Sequence, residues 1–409
     1  MVDVLLGLQW GDEGKGKMID FLAPNYDIVA RFQGGANAGH TIMFNGRRFV
    51  LHQLPSGIFR EGVLNVIGNG VVFDPVLFFQ EVASVNAHVS DLGTRLFISN
   101  KAHLVVPTHK LLDAFNEQAL GTTKIGSTLK GISPAYQSKV SRKGLRIGDI
   151  LTPTFVEKTA KLVNEHCAIM GIDFPTESVG VFLEYCHQLQ RDFLIVDTEV
   201  MLNGMLRKGK TVLAEGAQGS MLDVDFGTYP YVTSSNTTIA GVCSGLGIAP
   251  QYINEVFGTA KVYTTRVGSG HFPTELLNGT GDLLQQLGNE VGATTGRKRR
   301  CGWLDLPVLR YTCMINGVSQ LSLMKLDVLQ GLGHVQVCDY YERNGEKYYT
   351  YPFDCDESYI PHYVYFDIWA AGSEPDENLI KFTDYIRQEV KVRIGMLSIG
   401  ADRNETYFL

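Results

Sequence analysis

The chain carries the stretch VLLGLQWGDEGKGK at residues 4–17, in which an apolar run leads directly into a glycine-rich segment. We predict a buried β-strand that delivers a loop into the start of a helix, an arrangement in which backbone N–H groups bind nucleotide phosphates. Met18 stands where phosphate loops usually have Ser or Thr to bind Mg²⁺. A carboxylate, Asp12, lies inside the loop, where it would repel phosphate unless a metal ion or a proton transfer requires it. The stretch therefore predicts a phosphate-binding loop with additional chemistry.

Two lysines follow the glycines, and the ammonium groups of Lys15 and Lys17 can reach the β- and γ-phosphate oxygens of a nucleotide. A second nucleotide signal, LMKLD at residues 323–327, closes an apolar run. A Lys-x-Asp after a strand is how GTP-binding proteins commonly recognise guanine. The carboxylate of Asp327 would accept hydrogen bonds from N1–H and the 2-amino group, while the stem of Lys325 lies along the base. Adenine lacks that pair of donors, so the two patterns together favour GTP. On its own, the tripeptide is more commonly explained by a solvated surface pair.

The composition indicates a globular, enzyme-sized protein of 409 residues, with 44% hydrophobic and 19% charged residues. The net charge of −7 argues against a general nucleic-acid or anionic-membrane binder. Seven scattered cysteines without a C-x-x-C pair fit a reducing compartment better than a disulfide framework. No run approaches the roughly 20 apolar residues of a membrane span. We therefore expect a cytoplasmic protein with no nucleic-acid or membrane partner.

Apolar runs of strand length recur along the chain and alternate with stretches of helical pattern. The predicted strands are Val2–Leu8, Ile28–Phe32, Asn65–Ile67, Leu96–Ser99, Thr211–Ala214, Leu321–Met324 and Ile394–Ile399, and the predicted helices are Asp74–Val82, Phe155–Cys167 and Asp376–Val390. This alternation predicts an α/β fold with a largely parallel central sheet and a P-loop-like nucleotide-binding core. Asn344-Gly345 predicts a hairpin at the sheet edge, as a smaller antiparallel addition. No segment marks a boundary, so we expect residues 1–409 to form a single domain.

Two further loops carry candidate site residues. The segment QGGANAGHT at residues 33–41 follows a predicted strand; its small residues allow a ligand to approach closely, and His40 is a candidate general acid. The segment GATTGRKRR at residues 292–300 ends in four consecutive cations. That run is open to a nuclear-localisation or nucleic-acid interpretation, but the preceding Thr-Thr-Gly favours a shaped loop that binds a small dianion. Residues 126–128, 139–144, 215–219 and 228–238 have the composition of site loops or of solvated turns, which composition does not distinguish.

These segments, in this order, resemble the adenylosuccinate synthetase family. The shared motifs are QWGDEGKGK at 9–17, NAGHT at 37–41, PSGI at 55–58, IGNGVV at 67–72, EGAQG at 215–219, TYPYVTSSN at 228–236, GATTGR at 292–297, KLDVL at 325–329 and GADR at 400–403. The resemblance covers nearly the whole chain and is weaker around residues 155–205 and 340–375. It implies a GTP-dependent ligase that joins L-aspartate to IMP, giving adenylosuccinate, GDP and phosphate in the first committed step from IMP to AMP.

The resemblance also implies a two-step chemistry. Asp12 would remove the N1 proton of the hypoxanthine ring so that O6 attacks the γ-phosphorus of GTP, and His40 would donate to the developing charge. The aspartate amine would then displace phosphate from C6 of the 6-phosphoryl-IMP intermediate. Lys15 would support the γ-phosphoryl group, and Gln218 is a further catalytic candidate. Mg²⁺ would bind phosphate oxygens together with Asp12 and the backbone carbonyl of Gly39.

The binding residues of each substrate follow from the same resemblance. Those for GTP are Gly11, Glu13, Gly14, Lys15, Gly16, Lys17, Gly39, Thr41, Lys325, Asp327, Ser398 and Gly400. Those for IMP are Asp12, Asn37, Ala38, Gly39, His40, Thr128, Arg142, Gln218, Thr233 and Arg297. Those for L-aspartate are Thr294, Thr295, Arg297 and Arg299. Arg142 would reach the IMP phosphate of the neighbouring subunit, so a homodimer is implied.

The chain departs from the family pattern at two places. Leu129-Lys130 stands where the family usually has Gly-Arg, and Ile399 replaces a usual Thr beside the guanine site. Leucine stiffens the first loop, and lysine lacks the bidentate fork of arginine. We therefore expect IMP affinity or the mobility of this loop to be affected more than the class of reaction.

Three alternative functions compete with this one. A related phage-type synthetase that acts on dGMP typically lacks the base at the position of Asp12, so Asp12 favours IMP. A GTP-hydrolysing switch would have no use for His40 or for the arginine-rich loop. A catalytically silent paralogue is disfavoured because Asp12, Lys15, His40, Gln218 and Arg297 are all present.

Overall fold

The computed structural model describes residues 1–89, 91–292, 296–370 and 376–409 of the chain. In these ranges the strands are β1 (Val2–Gly7), β2 (Ile28–Arg31), β3 (His40–Phe44), β4 (Arg47–Leu51), β5 (Leu64–Ile67), β6 (Val72–Phe73), β7 (Leu96–Ser99), β8 (His103–Leu104), β9 (Leu194–Val196), β10 (Val212–Glu215), β11 (Ile253–Lys261), β12 (Tyr263–Arg266), β13 (Arg300–Asp305), β14 (Gln320–Met324), β15 (Val335–Arg343), β16 (Glu346–Tyr348), β17 (Ile360–Phe366), β18 (Arg393–Ser398) and β19 (Thr406–Phe408). The helices are α1 (Lys15–Leu22), α2 (Pro75–Val85), α3 (Leu92–Arg95), α4 (Pro107–Ala119), α5 (Ile132–Val140), α6 (Phe155–Met170), α7 (Thr176–Asp192), α8 (Thr198–Arg207), α9 (Ala240–Leu246), α10 (Gly279–Leu287), α11 (Leu306–Asn316), α12 (Leu326–Leu329) and α13 (Glu377–Val390).

A ten-stranded sheet runs through the described part of the chain in the order β19-β18-β14-β11-β1-β10-β2-β5-β7-β9. Its neighbouring strands are all parallel except β18 and β19. In β1 the side chains of Val2, Val4, Leu5 and Leu6 are buried, as expected for a parallel strand that is covered on both faces. All seven predicted strands lie in this sheet. The predicted α/β fold with a largely parallel central sheet is confirmed.

Three strands of the sheet, β9, β11 and β19, were missed by the sequence interpretation. The most central of them, β11, pairs with both β1 and β14. Asn254 and Glu255 near its start are polar, and Gly258 and Thr259 interrupt its apolar run. The polar end is satisfied by Asp3 of β1, whose carboxylate accepts hydrogen bonds from Asn254 Nδ2 (3.0 Å) and from the backbone N–H of Glu255 (2.9 Å). Tertiary pairing therefore determines this strand.

The three predicted helices are confirmed, with small changes at their ends. The carboxylate of Asp74 accepts from the backbone N–H groups of Val76 and Leu77 and so caps α2. Asp376 caps α13 in the same way through the N–H of Leu379. These caps satisfy donors that the first turn of a helix cannot pair internally.

The predicted hairpin at Asn344-Gly345 forms, but not at the edge of the central sheet. Both residues have positive φ (54° and 81°), as a tight two-residue turn requires. The flanking strands β15 and β16 belong to a separate sheet with β12, β13 and β17. Two short pairs, β3 with β4 and β6 with β8, complete the described sheets. A search of the described helices finds none with the length and apolarity to cross a membrane.

Candidate active site

A cavity of about 950 Å³ lies at the carboxyl ends of the central strands. Among its lining residues are most of the side chains that the sequence analysis selected: Gly11, Asp12, Glu13, Gly14, Lys15, Gly16, Lys17, Asn37, Ala38, Gly39, His40, Thr41, Thr128, Gln218, Thr233, Arg297, Arg299, Lys325, Asp327, Ser398 and Gly400. The fold thus brings together segments from both ends of the chain. Thr294 and Thr295 lie outside the described residues.

The glycine-rich loop between β1 and α1 is held from within by Glu13. The Glu13 carboxylate is buried and accepts hydrogen bonds from the backbone N–H groups of Gln9 (3.0 Å) and Gly11 (2.9 Å). It also pairs with the ammonium of Lys15 at 2.5 Å. The side chain of Glu13 therefore organises the loop, and the N-terminus of α1 opens towards the cavity, where a helix attracts anions.

The carboxylate in the loop, Asp12, faces an arginine. Asp12 has φ of 61°, and its Oδ2 lies 2.8 Å from Nε of Arg299. The other side of that guanidinium donates to Oε2 of Glu290 at 2.6 Å. Glu290 is buried beside Lys261; burial raises its pKa, but Lys261 and Arg299 lower it more, to about 2. Arg299 is thus anchored on one carboxylate while it holds the other.

His40 begins β3 and forms a buried pair with Glu215 at the end of β10. Its Nδ1 lies 2.5 Å from Oε1 of Glu215, and Glu215 also accepts from the backbone N–H (2.8 Å) and hydroxyl (2.6 Å) of Ser56. Burial lowers the pKa of His40, and its Nε2 has no hydrogen-bond partner in the described part of the chain. A Cβ on Gly16 would lie 2.7 Å from Cβ of His40, so glycine there allows α1 and β3 to approach. The arrangement holds a neutral imidazole with Nδ1–H on the carboxylate and a free lone pair on Nε2.

Two half-buried carboxamides, Asn37 and Gln218, line the cavity together with His40. Gln218 has φ of 58°, and its Nε2 has no partner among the described residues. The same holds for Oδ1 of Asn37, whereas Nδ2 of Asn37 is 3.5 Å from the hydroxyl of Thr233. Buried polar atoms are almost always paired in proteins. These atoms mark a surface that a polar ligand can satisfy.

The Lys-x-Asp motif lies where β14 ends. Lys325 adopts the left-handed conformation (φ 69°) and donates to the carbonyl of Gly288 at 3.0 Å. Oδ1 of Asp327 has no partner within the described ranges, and burial raises the pKa of this carboxyl group. A buried carboxylate oxygen at this position can accept from a ligand donor.

The second lysine of the glycine-rich motif, Lys17, makes contacts that the sequence interpretation did not anticipate. Its Nζ donates to Oγ of Ser398 (2.8 Å) and to the carbonyls of Gly400 (2.8 Å) and Glu405 (3.0 Å). These acceptors lie at the end of β18 and in the loop that follows it. In this structure the side chain of Lys17 therefore contacts the protein itself, and its contact with phosphate stays a prediction.

Two arginines differ in where the structure places them. Arg297 lines the cavity and donates from Nη2 to the carbonyl of Gly126 at 2.8 Å. Arg142 follows α5, is exposed and has φ of 64°, and it does not line this cavity. Leu129, at the family's usual glycine position, also has positive φ (56°), a conformation that leucine rarely adopts.

Sequence reasoning missed the partners that hold the candidate residues. Glu215 pairs with His40, Ser56 donates to Glu215, and Glu290 accepts from Arg299. All three are buried. A signal was present for Glu215, because it ends a wholly buried strand, and a carboxylate in such a place requires a specific partner. Nothing in the sequence indicates which partner that is.

The fold and this cavity together define an α/β protein with a phosphate-loop-like nucleotide-binding core. The family model for adenylosuccinate synthetase matches residues 4–407, and the chain therefore belongs to the adenylosuccinate synthetase family. Members of this family are enzymes that join L-aspartate to IMP in a GTP-dependent step of AMP biosynthesis. The ligase function expected from the sequence is confirmed.

Individual relatives agree with this assignment. The adenylosuccinate synthetase of Parabacteroides distasonis is 51% identical over 416 residues, which cover 99% of this chain and 98% of the relative. The solved structure of fully ligated adenylosuccinate synthetase from Plasmodium falciparum matches with a TM-score of 0.95 and 40% identity, over 100% of this chain and 99% of that one. A succinoaminodeoxyadenylate synthetase from cyanophage S-2L, bound to dGMP and dATP, matches with a TM-score of 0.65 over 100% of this chain and 95% of that one. At 19% identity it shows the fold alone.

Proposed function

We propose that the cavity carries out the family reaction with GTP on the glycine-rich loop and Asp327, IMP beside Asn37 and Gln218, and L-aspartate near Arg297. The observation that carries this proposal is the set of buried polar atoms without a partner among the described residues: Asn37 Oδ1, His40 Nε2, Gln218 Nε2 and Asp327 Oδ1. An unsatisfied buried polar group costs about 1–3 kcal/mol. Substrates that supply the missing partners remove that cost.

In the first step, Asp12 removes the proton from N1 of IMP, and O6 attacks the γ-phosphorus of GTP. The bond from that phosphorus to the bridging oxygen breaks, and GDP leaves. The contact between Arg299 and Asp12 supports this role because a guanidinium orients the carboxylate at the edge of the cavity. Lys15 lies at the start of α1, where the helix N-terminus favours the charge of the γ-phosphoryl group.

His40 stabilises the charge that develops on the transferred phosphoryl group. His40 lines the cavity, and its Nε2 has no partner among the described residues. Nε2 can donate only after it takes up a proton, which the negative charge of bound triphosphate favours. Glu215 holds Nδ1 and stabilises the cationic ring. In the second step the amine of L-aspartate attacks C6, a C–N bond forms, and the C6–O bond breaks as phosphate leaves.

Mg²⁺ fits the oxygen donors that the cavity offers, a carboxylate at Asp12 and a backbone carbonyl at Gly39. No group of three candidate metal-ligating side chains occurs in the described residues, which agrees with an ion that takes few protein ligands and several from phosphate and water. Met18 is buried, so it offers nothing in place of the usual hydroxyl. When bound, the ion would neutralise phosphate charge.

We further propose a homodimer in which Arg142 serves the partner subunit's IMP site. Arg142 is exposed away from the cavity of its own chain, and Val140, two residues earlier, is 79% exposed, as suits a residue that a second subunit covers. The central sheet draws strands from β1 to β19, which supports a single domain over residues 1–409. All seven cysteines are free, which supports a cytoplasmic location.

The test is the ultraviolet change in a mixture of the protein, GTP, Mg²⁺, IMP and L-aspartate, with each component omitted in turn and with dGMP in place of IMP. We expect a signal that needs all five components and yields adenylosuccinate. Turnover of dGMP without turnover of IMP contradicts the proposed IMP site. Phosphate release without aspartate contradicts the coupled ligase mechanism and favours a GTPase. The sedimentation coefficient in the same buffer tests the dimer.

A further inference from the structure

The ammonium group of Lys17 is fully occupied by one loop. We call residues 398–405 the C-terminal loop; its Ser398 Oγ and the carbonyls of Gly400 and Glu405 lie 2.8, 2.8 and 3.0 Å from Nζ of Lys17. A lysine ammonium has three N–H donors and no acceptor. All three donors are therefore used, and Lys17 is only 5% exposed. A phosphate could be bound by this side chain only if the loop gave up its contacts.

A second side chain of α1 holds the same loop. Asp20 lies one turn after Lys17 and thus on the same face of the helix. Its carboxylate is buried and pairs with Nε (2.8 Å) and Nη2 (2.9 Å) of Arg403. The guanidinium of Arg403 also lies over the ring of Phe44, 4.1 Å from its centroid. Two anchors, three residues apart on α1, therefore fix the position of the C-terminal loop.

The surroundings of Lys17 are those of the base end of the cavity. Burial lowers its pKa to about 8, whereas Glu405, Asp327 and Asp402 oppose that change, and Lys325 adds to it. The acidic groups that interact electrostatically with Lys17 thus come from the Lys-x-Asp motif and from the C-terminal loop. Lys15, in contrast, pairs with Glu13 inside the phosphate loop. The two lysines of the motif therefore contact different parts of the protein, Lys15 the glycine-rich loop and Lys17 the C-terminal loop.

We infer that Lys17 is a positioning residue for guanine specificity: it holds Ser398 and Gly400 opposite Asp327 and does not bind the triphosphate. This inference rests on the proposed placement of guanine at Asp327. The phosphate loop and the base pocket are then connected by one side chain, so the helix that receives the phosphates also sets the width of the base pocket. Loss of the anchor frees the loop, and ordering it again on binding reduces affinity for the base.

The experiment compares Lys17→Met, which keeps the length of the side chain and removes its donors, with Lys17→Arg. For each, kcat and KM are measured with GTP and with inosine triphosphate, which lacks the 2-amino group, and inhibition by inorganic tripolyphosphate is measured as a probe of the phosphate loop. For Lys17→Met we expect KM for GTP to rise about tenfold and the preference for GTP over inosine triphosphate to fall about tenfold. The value of kcat changes less than about threefold and tripolyphosphate inhibition is unchanged, because preorganisation of the base pocket affects binding rather than chemistry. Lys17→Arg retains donors and recovers part of the preference.

The contrary result is equally specific. If Lys17 binds phosphate, KM rises by the same factor for GTP and inosine triphosphate, and tripolyphosphate inhibits the variant less than the parent enzyme. Lys381, an exposed lysine (62%) paired with Glu377, provides the control: Lys381→Met leaves all these values unchanged.

A second variant tests the inference if Lys17→Met does not fold. Arg403→Met removes the other anchor of the same loop and should lower the preference for GTP over inosine triphosphate about threefold. An unchanged preference in Arg403→Met overturns the inference. A parent enzyme that shows no preference between the two nucleotides contradicts instead the proposed guanine site, so the two failures are distinguishable.

Discussion

At one end of the cavity the buried atoms Asn37 Oδ1, His40 Nε2 and Gln218 Nε2 have no partner among the described residues, whereas at the other end Lys17 has three. The first region keeps its hydrogen-bonding capacity for ligands. The second region uses the donors of Lys17 to fix the shape of a loop and leaves Oδ1 of Asp327 unpaired among the described residues. Residues that line one cavity therefore serve different purposes, because reactive groups need unpaired hydrogen-bonding atoms whereas recognition of a flat base needs a rigid frame.

The largest effect should come from the reactive region. Asp12→Asn keeps the size of the side chain and removes the base, so we expect kcat to fall by about three orders of magnitude. Steady-state kinetics with all substrates measures this. GTP binding, followed by equilibrium dialysis, should remain within a few-fold of the parent. Substantial residual turnover would show that Asp12 is not the base.

The buried partner of His40, Glu215, offers the next test. Glu215→Gln retains an oxygen that can accept from Ser56 but removes the negative charge beside the imidazole, so we expect kcat to fall about 100-fold with little change in KM. Ser56→Ala removes only one of the hydrogen bonds to Glu215 and serves as the matched control, with a loss below about tenfold. Equal losses in both variants would indicate a packing defect rather than an electrostatic role.

At the base end, Asp327→Asn should reverse nucleotide preference. An amide presents a donor where guanine also has donors, which we expect to lower kcat/KM for GTP about 30-fold, equivalent to about 2 kcal/mol. The value of kcat/KM for xanthosine triphosphate, which has an oxygen at C2, should rise relative to that for GTP. Competition assays with both nucleotides measure the ratio, and an unaltered preference for GTP would exclude Asp327 from base recognition.

The smallest effect concerns the pH dependence of the contact between Lys17 and the C-terminal loop. The pKa of Lys17 is lowered to about 8 by burial, so its ammonium loses a proton as the pH rises through that value, and one of its three donors is lost. We expect KM for GTP to rise about threefold between pH 7 and 9.5 as a result. Lys17→Arg stays charged throughout this range, so its profile should show only the titration of GTP itself. Identical profiles for the parent and for Lys17→Arg would contradict the assignment.

Much of the fold and of the candidate site was accessible from the sequence because the signals are local. A glycine-rich loop after an apolar run, the Lys-x-Asp motif after another, and acidic N-caps such as Asp74 and Asp376 each depend on neighbours within a few residues. The apolar runs of the parallel sheet were readable for the same reason. β11 was not, because its polar start is compensated by Asp3, 252 residues from Glu255 in sequence.

The sequence by itself determined the α/β class, the family and most of the candidate side chains that line the cavity. Only the tertiary structure decided which of these side chains have their polar atoms paired within the described part of the protein and which have a polar atom without a partner there. His40 meets Glu215 across 175 residues, and Lys17 meets Ser398 across 381, so neither contact has a local signature. The physical reason is that a buried charge or donor must be satisfied by whatever the completed fold brings beside it, and that neighbour is set by the order of strands in the sheet.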